Sequence, residues 1–143
     1  MVYDELEILE SKNDISLADI NILTEKVGWG HSYYKTEEHW LRTLSMSAHV
    51  AYIKENGKLI CFGRILEDGQ MCMFYDICVH PKHQGKDIGT LLMNHLIDKI
   101  KDKKYASVGL FVWEGNKTAS EFYSKFGFEK VVAMELKKYM KKV

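Results

Sequence analysis

The sequence predicts an α/β fold of the α+β type, with a mixed but mostly antiparallel central sheet of about six strands flanked by about four helices. Two observations predict it. Three strand-like runs are joined by Asn56-Gly57 and Asp68-Gly69, the dipeptides best suited to tight hairpin turns. A long amphipathic helix separates two further strand-like runs, and a crossover of that length lets the two strands lie parallel. The 143 residues contain one proline, so we expect a single domain over 1–143.

The N-terminal part of the chain reads as a strand followed by two helices. Residues 2–9 form the strand. After a possible N-cap at Ser16, four apolar residues recur at helical spacing: Leu17, Ile20, Leu23 and Val27. Gly28 should end this helix. Residues 36–39 then resemble the acidic first turn of a second, short helix that continues to Leu44.

The remaining elements follow without an internal linker. Residues 49–54, 59–66 and 71–79 are expected to form an antiparallel meander. One apolar helical face contains Ile88, Leu91, Leu92, Leu96 and Ile100, and that helix should pack on the sheet. A strand over 105–113, a short helix that Asn116 caps and Gly127 ends, and a final strand over 128–139 complete the chain.

Composition and charge exclude several classes of function. Hydrophobic residues make up 46% of the chain and charged residues 28%, and no apolar run is long enough to cross a bilayer. Twenty basic residues balance twenty acidic ones, so we expect neither a nucleic-acid nor a membrane partner. The three cysteines have no metal-type spacing, and the N-terminus is acidic where a secretory signal would be basic. A cytoplasmic location is therefore expected.

The junction between residues 79 and 89 is the most informative segment, because a strand ends there in a turn that opens a long helix. Backbone N–H groups at a helix N-terminus lack intrahelical partners and favour an anion such as phosphate. The alternative is a plain connection in which Asp87 acts as N-cap. His80 and His83 flank the turn, but no third ligand is evident nearby, so they are interpreted as solvent-exposed histidines and no metal site is predicted.

Two motifs in this order resemble those of the GCN5-related N-acetyltransferase (GNAT) superfamily. The first, Val-x-Pro followed by Gln/Arg-x-x-Gly-x-Gly/Ala, is matched by Val79, Pro81, Gln84 and Gly89. The second, Asn-x-x-Ala-x-x-Phe/Leu-Tyr-x-x-x-Gly-Phe, is matched without a gap by Asn116, Ala119, Phe122, Tyr123, Gly127 and Phe128. The resemblance implies the acyl-CoA N-acyltransferase fold, with a parallel central pair of strands that splay apart to hold acetyl-CoA.

The resemblance also implies which residues bind acetyl-CoA. They are Ile77, Cys78, Val79, Gln84, Gly85, Lys86, Asp87, Ile88, Gly89, Thr90, Asn116, Ala119 and Tyr123. A backbone N–H from residues 77–79, freed by a local bulge, would stabilise the oxyanion. One residue departs from the family pattern, which usually has glycine at the position of Asp87. Its carboxylate should weaken the cofactor site unless it points away from the phosphates.

Tyr123 is the expected proton donor to the leaving thiolate, since the corresponding tyrosine of the family points its hydroxyl at the thioester sulfur. A purely structural role on the apolar face of its helix is the alternative. The general base is less determined, because the position where some members carry a glutamate falls on Met73. Asp76 is ranked first, ahead of Glu67, Glu114, His31 or an ordered water.

The acceptor site is expected around the N-terminal helices, where aromatic residues concentrate. The candidates for substrate binding are Trp29, His31, Tyr33 and Tyr34, with Trp40 nearby. Such side chains could stack on an aryl amine or hold a cation, although core packing explains many of them. Polyamines, arylalkylamines, amino acids, aminoglycoside-like compounds and protein amines all remain open as acceptors.

Three functions are therefore carried forward. The first is acetyl transfer from acetyl-CoA to a primary amine of a small molecule, by direct attack in a ternary complex. The second is the same reaction on a protein or peptide. The third is a CoA-binding sensor or interaction module with little turnover, which Asp87 and the undetermined base make conceivable. A homodimer is common among similar proteins and is kept as an expectation by analogy.

Overall fold

The computed structural model describes residues 6–29, 36–132, 135 and 137. The chain divides into two compact units, Met1–Phe111 and Val112–Val143, and each is described by itself. In the described residues, no helix has both the length and the apolar character needed to cross a membrane.

Two helices begin the first unit, and both start at the caps that the sequence indicates. Helix α1 spans Leu17–Lys26, and the Ser16 hydroxyl accepts a hydrogen bond from the Asp19 N–H at 3.2 Å. Helix α2 spans Glu37–Met46 and is capped in the same way by Thr36, whose hydroxyl accepts from the His39 N–H. Gly28 follows α1 with a φ of +90°, as its predicted role at the helix end requires.

Three antiparallel strands form the predicted meander. They are β1 (His49–Glu55), β2 (Lys58–Glu67) and β3 (Met71–Val79), in that order across the sheet. Asn56 and Gly57 both have positive φ, which is the geometry of a two-residue hairpin turn with the twist of the strands. At the second turn, the Asp68 carboxylate accepts from the Gln70 and Met71 N–H groups at 3.0 and 2.8 Å. The prediction from the two turn dipeptides is confirmed.

Helix α3 (Ile88–Ile100) connects β3 to the parallel strand β4 (Ser107–Leu110). The crossover and the parallel pairing are confirmed, but β4 is shorter than the predicted strand over 105–113. The pairs run only from Met71 with Ser107 to Phe74 with Leu110. Just beyond Phe74 the ladder of β3 is interrupted by a bulge, and a bulge bends the strand that carries it.

The sheet of the described residues has four strands, fewer than the six or so expected from the sequence. In the predicted first strand, Leu9 forms only an isolated antiparallel bridge with Tyr52, while residues 2–5 lie outside the described residues. In the predicted last strand, the described residues 128–132, 135 and 137 adopt no strand structure. An alternating apolar pattern marks where a strand is favoured, but hydrogen-bonded pairing defines it.

The core of the first unit lies between the sheet and its helices. Fully buried side chains come from α1, α2, the sheet and α3, and include Ile20, Leu44, Tyr52, Phe62 and Leu92. Gly63 in β2 permits a close approach of α3, because a Cβ at this position would lie 3.0 Å from the Leu92 side chain and 3.3 Å from that of Leu96. The predicted packing of the amphipathic helix on the sheet is confirmed.

Candidate active site

The turn after β3 is held against the end of the strand by its own polar groups. The His80 N–H donates to the Ile60 carbonyl at 2.8 Å, and a single 3-10 turn spans Pro81–His83. The Gln84 side-chain amide donates to the Val79 carbonyl at 3.0 Å. Gln84 therefore folds the turn back onto the strand, and this structural role explains why that position carries an amide.

Helix α3 begins at the end of this turn. The Leu91 N–H donates to the Asp87 carbonyl at 3.0 Å and so begins the intrahelical hydrogen bonds. The amides of Ile88, Gly89 and Thr90 precede that bond, at the positive end of the helix dipole. An open cleft of about 330 Å³ lies against this first turn, and Thr90 and Lys86 are among its lining residues. Amides, a hydroxyl and a cation together suit an anion such as a phosphate.

Asp87 is the N-cap residue of α3, but its side chain makes no capping hydrogen bond. Its backbone has a φ of +63° and a ψ of +12°, the left-handed conformation that glycine adopts without steric cost. The position therefore requires glycine-like geometry, and aspartate is one of the few other residues that tolerate it. Asp87 is also one of the residues that line the cleft, and it brings a negative charge to the start of the helix.

A β-bulge interrupts β3 at Asp76 and Ile77, which together lie opposite the single residue Gly63 of β2. Asp76 has a φ of +57°, so the left-handed residue of this bulge is an aspartate where glycine is usual. The bulge lies one residue earlier than the 77–79 segment expected from the sequence. Parallel pairing with β4 stops at Phe74, whereas β3 continues to Val79, so the two strands are unpaired along this last part of β3.

Arg64 of β2 organises the polar groups beside the bulge. Its Nε donates to Asp76 Oδ2 at 2.6 Å, and its guanidinium carbon lies 5.0 Å from the centroid of the Tyr75 ring. Its Nη1 lies 3.5 Å from the Ser47 hydroxyl. The Arg64 and Asp76 side chains are 15% and 28% exposed, so this ion pair is much less screened by water than a surface pair.

The second unit contains helix α4 (Lys117–Ser124) and the complete second motif. The Asn116 side-chain oxygen accepts from the Ala119 N–H at 3.1 Å, which confirms Asn116 as the helix cap. The helix ends in a Schellman arrangement. The Phe128 N–H donates to the Tyr123 carbonyl, the Gly127 N–H donates to the Ser124 carbonyl, and Gly127 has a φ of +91°.

Tyr123 is half-buried within this unit. Its ring makes edge contacts with Phe122 and Phe128, at centroid distances of 5.2 and 6.2 Å. The aromatic contacts fix the plane of the ring, which is what a side chain with a directed hydroxyl requires. They are equally compatible with the structural alternative, so the role of Tyr123 as proton donor stays a prediction.

Comparison with known proteins decides the family. The model of the acetyltransferase (GNAT) family matches residues 15–128, which include both motifs. The chain belongs to the GNAT family. An uncharacterized N-acetyltransferase, ycf52, of Pyropia yezoensis is 28% identical over 124 residues, which cover 85% of this chain and 70% of that protein.

Solved structures share the GNAT fold. A probable acetyltransferase of unknown function from methicillin-resistant Staphylococcus aureus superposes with a TM-score of 0.80 at 24% identity, covering 96% of this chain and 99% of that one. The ribosomal-protein-S18-alanine N-acetyltransferase of Escherichia coli superposes with a TM-score of 0.73 at 21% identity, covering 89% and 79%. The predicted fold class is confirmed, and the protein is an N-acetyltransferase of the GNAT family.

The substrate-binding residues predicted for this GNAT protein are described only in part. Trp29 is half-buried and packs against the apolar core around α1, so part of its surface serves the core. His31, Tyr33 and Tyr34 lie outside the described residues. Trp40 also packs on that core, and its Nε1 donates to the Asn21 side chain at 2.6 Å. Trp29 and Trp40 thus both contribute to core packing.

Two other candidates for the general base are Glu67 of the first unit and Glu114 of the second. Glu67 is at the hairpin end of β3, opposite the end that carries the bulge, where its carboxylate accepts from the Gly69 N–H at 2.9 Å. Glu114 is exposed and belongs to the second unit. Asp76 is thus the only one of these three carboxylates that the structure places at the bulge.

One expectation about the turn was wrong, and one residue beside the bulge was missed. His83 is not a solvent-exposed histidine, since its side chain is 15% exposed and its Nδ1 lies 3.3 Å from Glu55 Oε2. The 3-10 turn brings the ring back towards the end of β1. Arg64 was not predicted as a site residue. The sequence held one indication, because Arg64 is the only charged residue in the apolar run 59–66.

Proposed function

We propose that the protein transfers the acetyl group of acetyl-CoA to a primary amine of a small molecule, by direct attack within a ternary complex. The observation that carries the proposal is the start of α3, where Lys86, Ile88 and Thr90 line one cleft beside backbone amides that have no intrahelical partner. A diphosphate there would accept several hydrogen bonds at the positive end of a helix dipole. Gly85 has a φ of +75°, and Asp87 also has a positive φ. These two conformations set the course of the backbone that would approach the diphosphate.

The acetyl-CoA residues inferred from the two motifs fit this proposal with one exception. Residues 84–90 build the turn and the helix start, and residues 77–79 begin at the second residue of the bulge on β3. Asn116 and Ala119 hold the first turn of α4 by the capping hydrogen bond. The exception is Asp87, whose carboxylate opposes a phosphate in the same cleft. We therefore propose a functional site of reduced cofactor affinity.

The chemical step needs an oxyanion donor, a base and an acid. We assign the donor to a backbone N–H of the segment 77–79, since a bulge releases a backbone group from the ladder. Tyr123 is the proposed acid, because a phenol is protonated at neutral pH and can supply the proton that the thiolate takes. Asp76 is the proposed base, acting directly or through an ordered water, and Arg64 orients its carboxylate.

A protein amine is the second candidate acceptor. The support is the likeness to the ribosomal-protein-S18-alanine N-acetyltransferase of Escherichia coli, which is 29% identical over 76 residues, 53% of this chain. A peptide acceptor would need an extended groove, whereas a small amine needs a closed pocket. A cytoplasmic location and a homodimer remain predictions.

The test is thiol release from acetyl-CoA, followed with a reactive disulfide reporter over a panel of small amines and of peptides with different N-termini. Amine-dependent release with small amines supports the proposal, and release only with peptides supports the second candidate. Saturable acetyl-CoA binding without amine-dependent release across the panel would replace both with a CoA-binding sensor. Cys61, Cys72 and Cys78 are all buried, so the protein's own thiols should add little background.

A further inference from the structure

Three side chains that can bind a metal ion meet at the far end of the sheet from the β3 turn. Glu10 follows the bridge residue Leu9, His49 begins β1, and His95 lies in the middle of α3. They come from three separate segments of the first unit, and nothing in the proposed acetyl transfer uses them. The two histidine side chains are 18% and 20% exposed, and the Glu10 side chain is 41% exposed.

The distances among the three ligand atoms are those of one face of a small coordination shell. His49 Nε2 lies 3.0 Å from His95 Nε2, and Glu10 Oε1 lies 3.5 and 2.9 Å from these two nitrogens. Ligand atoms around a tetrahedral zinc ion at the usual bond lengths are about 3.3 Å apart. An ion could therefore contact all three atoms with shifts of only a few tenths of an ångström.

The chemistry of the three groups agrees with their geometry. Two Nε2 atoms that face each other at this distance share at most one proton, so at least one ring presents a lone pair. An imidazole binds a metal ion through such a lone pair. Two imidazoles and one carboxylate form a donor set that suits zinc and its neighbours in the first transition row.

The ammonium group of Lys99 would compete with a metal ion for the Glu10 carboxylate. Its Nζ lies 2.9 Å from Glu10 Oε1, the oxygen that also contacts both histidines, and this hydrogen bond is the largest cause of the lowered pKa of Glu10. The side chain of Lys99 is 42% exposed, so it can swing into solvent when an ion takes its place. Lys99 should weaken metal binding without preventing it.

We propose that Glu10, His49 and His95 bind one divalent transition-metal ion, best matched by zinc, with a fourth position open to water. His95 lies seven residues into α3, about 10 Å along the helix from Ile88, the first residue of α3. His49 pairs with Ile65, at the end of the sheet opposite Val79. The ion would therefore not take part in acetyl transfer. It would tie the segment after Leu9 to β1 and α3.

The experiment titrates zinc into chelator-treated protein that carries no histidine tag, with calorimetry for stoichiometry and thermal unfolding for stability. One equivalent should bind and raise Tm. Cobalt serves as the optical probe, because a four-coordinate site gives intense visible bands. A thiolate charge-transfer band would instead assign the metal to a cysteine and overturn the proposal.

Variants separate this site from other histidines. His49→Ala and His95→Ala should each lower zinc affinity about 100-fold or more and abolish the cobalt bands. His83→Ala, which removes a half-buried histidine paired with Glu55, is the matched control and should leave both unchanged. Lys99→Met should act in the opposite direction and tighten zinc binding severalfold, because it removes the competing ammonium.

Failure of the alanine variants to fold would not obscure the result, since Lys99→Met keeps all three ligands and changes an exposed side chain. No saturable binding by either the wild type or Lys99→Met would overturn the proposal. The same is true if wild-type affinity survived both histidine substitutions. Acetyltransferase activity is not the readout, so the outcome is independent of the proposed acceptor.

Discussion

Arg64 Nε donates to Asp76 Oδ2 at 2.6 Å, from the strand beside the bulge to the bulge residue itself. Asp76 is held in a left-handed backbone conformation, and its carboxylate is held by a guanidinium that also lies over Tyr75. The ion pair thus lies where two proposed parts of the site meet. One is the bulge, whose backbone is proposed to release an oxyanion donor, and the other is the Asp76 carboxylate, which is the proposed base. Arg64 is a positioning residue in this arrangement.

Arg64→Gln should reduce both stability and kcat/KM. The half-buried carboxylate of Asp76 loses its charged partner, which should cost about 1 to 3 kcal/mol in the free energy of unfolding. Urea unfolding measures this cost, and the acetyl transfer assay measures the change in turnover. Lys101→Gln is the control, because it removes an ion pair with Asp98 that is exposed on both sides and should change little. An Arg64 variant as stable and as active as this control would leave the pair without a role.

Asp87→Gly and Asp87→Asn separate charge from backbone strain. Both remove the negative charge beside the helix N-terminus, so both should tighten acetyl-CoA binding about fivefold, which corresponds to about 1 kcal/mol of repulsion. Glycine alone removes the cost of the left-handed conformation and should stabilise the fold by about 1 kcal/mol. Calorimetric Kd and Tm report the two effects. Unchanged Kd in both variants would show that the carboxylate points away from the phosphates.

Tyr123→Phe should lower kcat by about 100-fold or more while leaving the Kd for acetyl-CoA unchanged, because only the transferable proton is lost. The ring contacts with Phe122 and Phe128 do not need the hydroxyl, so the ring should keep its place in the fold. Tyr105→Phe is the control, since that hydroxyl interacts with Glu67 at the hairpin end of β3. Equal kcat for the wild type and Tyr123→Phe would make Tyr123 a structural residue.

The three thiols should resist labelling in the folded protein. Burial raises the pKa of Cys61 to about 12 and that of Cys72 to about 11, and it raises the pKa of Cys78 well above its ordinary value. At pH 8 the folded chain therefore contains almost no thiolate, and all three thiols should react with a disulfide reagent only after unfolding. Rapid labelling of the native protein at pH 8 would contradict the burial of these side chains.

The same shifts set a direction for stability at high pH. Below about pH 8 the cysteines are protonated in both states and contribute no pH dependence. As the pH rises past the ordinary pKa of a thiol, the unfolded chain releases protons that the folded chain retains, so the free energy of unfolding should fall. Urea midpoints measured at intervals from pH 7 to pH 10 check this direction, and replacement of all three cysteines by alanine should flatten the high-pH decline.

Much of the fold could be predicted because it depends on local residues. Ser16, Asn56-Gly57 and Asn116 each specify a cap or a turn through their own backbone and side chain, and the structure places all of them as expected. The outer strands could not be predicted in this way. Whether residues 128–132 pair with a neighbour depends on partners far along the chain, and periodicity does not report on pairing.

The candidate site also has parts that could be predicted from local sequence and parts that could not. The turn after Val79 and the Asn116 motif could be found because each is continuous in sequence. Arg64 could not, since its importance comes from a residue that lies opposite it only after two strands pair in register. The cluster of Glu10, His49 and His95 was missed for the same reason, because three separate segments must fold before their ligand atoms meet.

The pairing of β3 with β4 has a consequence for synthesis of the chain. The two hairpins need only residues that are close in sequence, so β1 to β3 can assemble as soon as Val79 is available. Met71 cannot meet Ser107 until all of α3 has been made. During that interval one edge of a nascent sheet has unpaired backbone groups, and such an edge can recruit a strand from another chain. We therefore expect the growing chain to be prone to aggregation on the ribosome until β4 emerges.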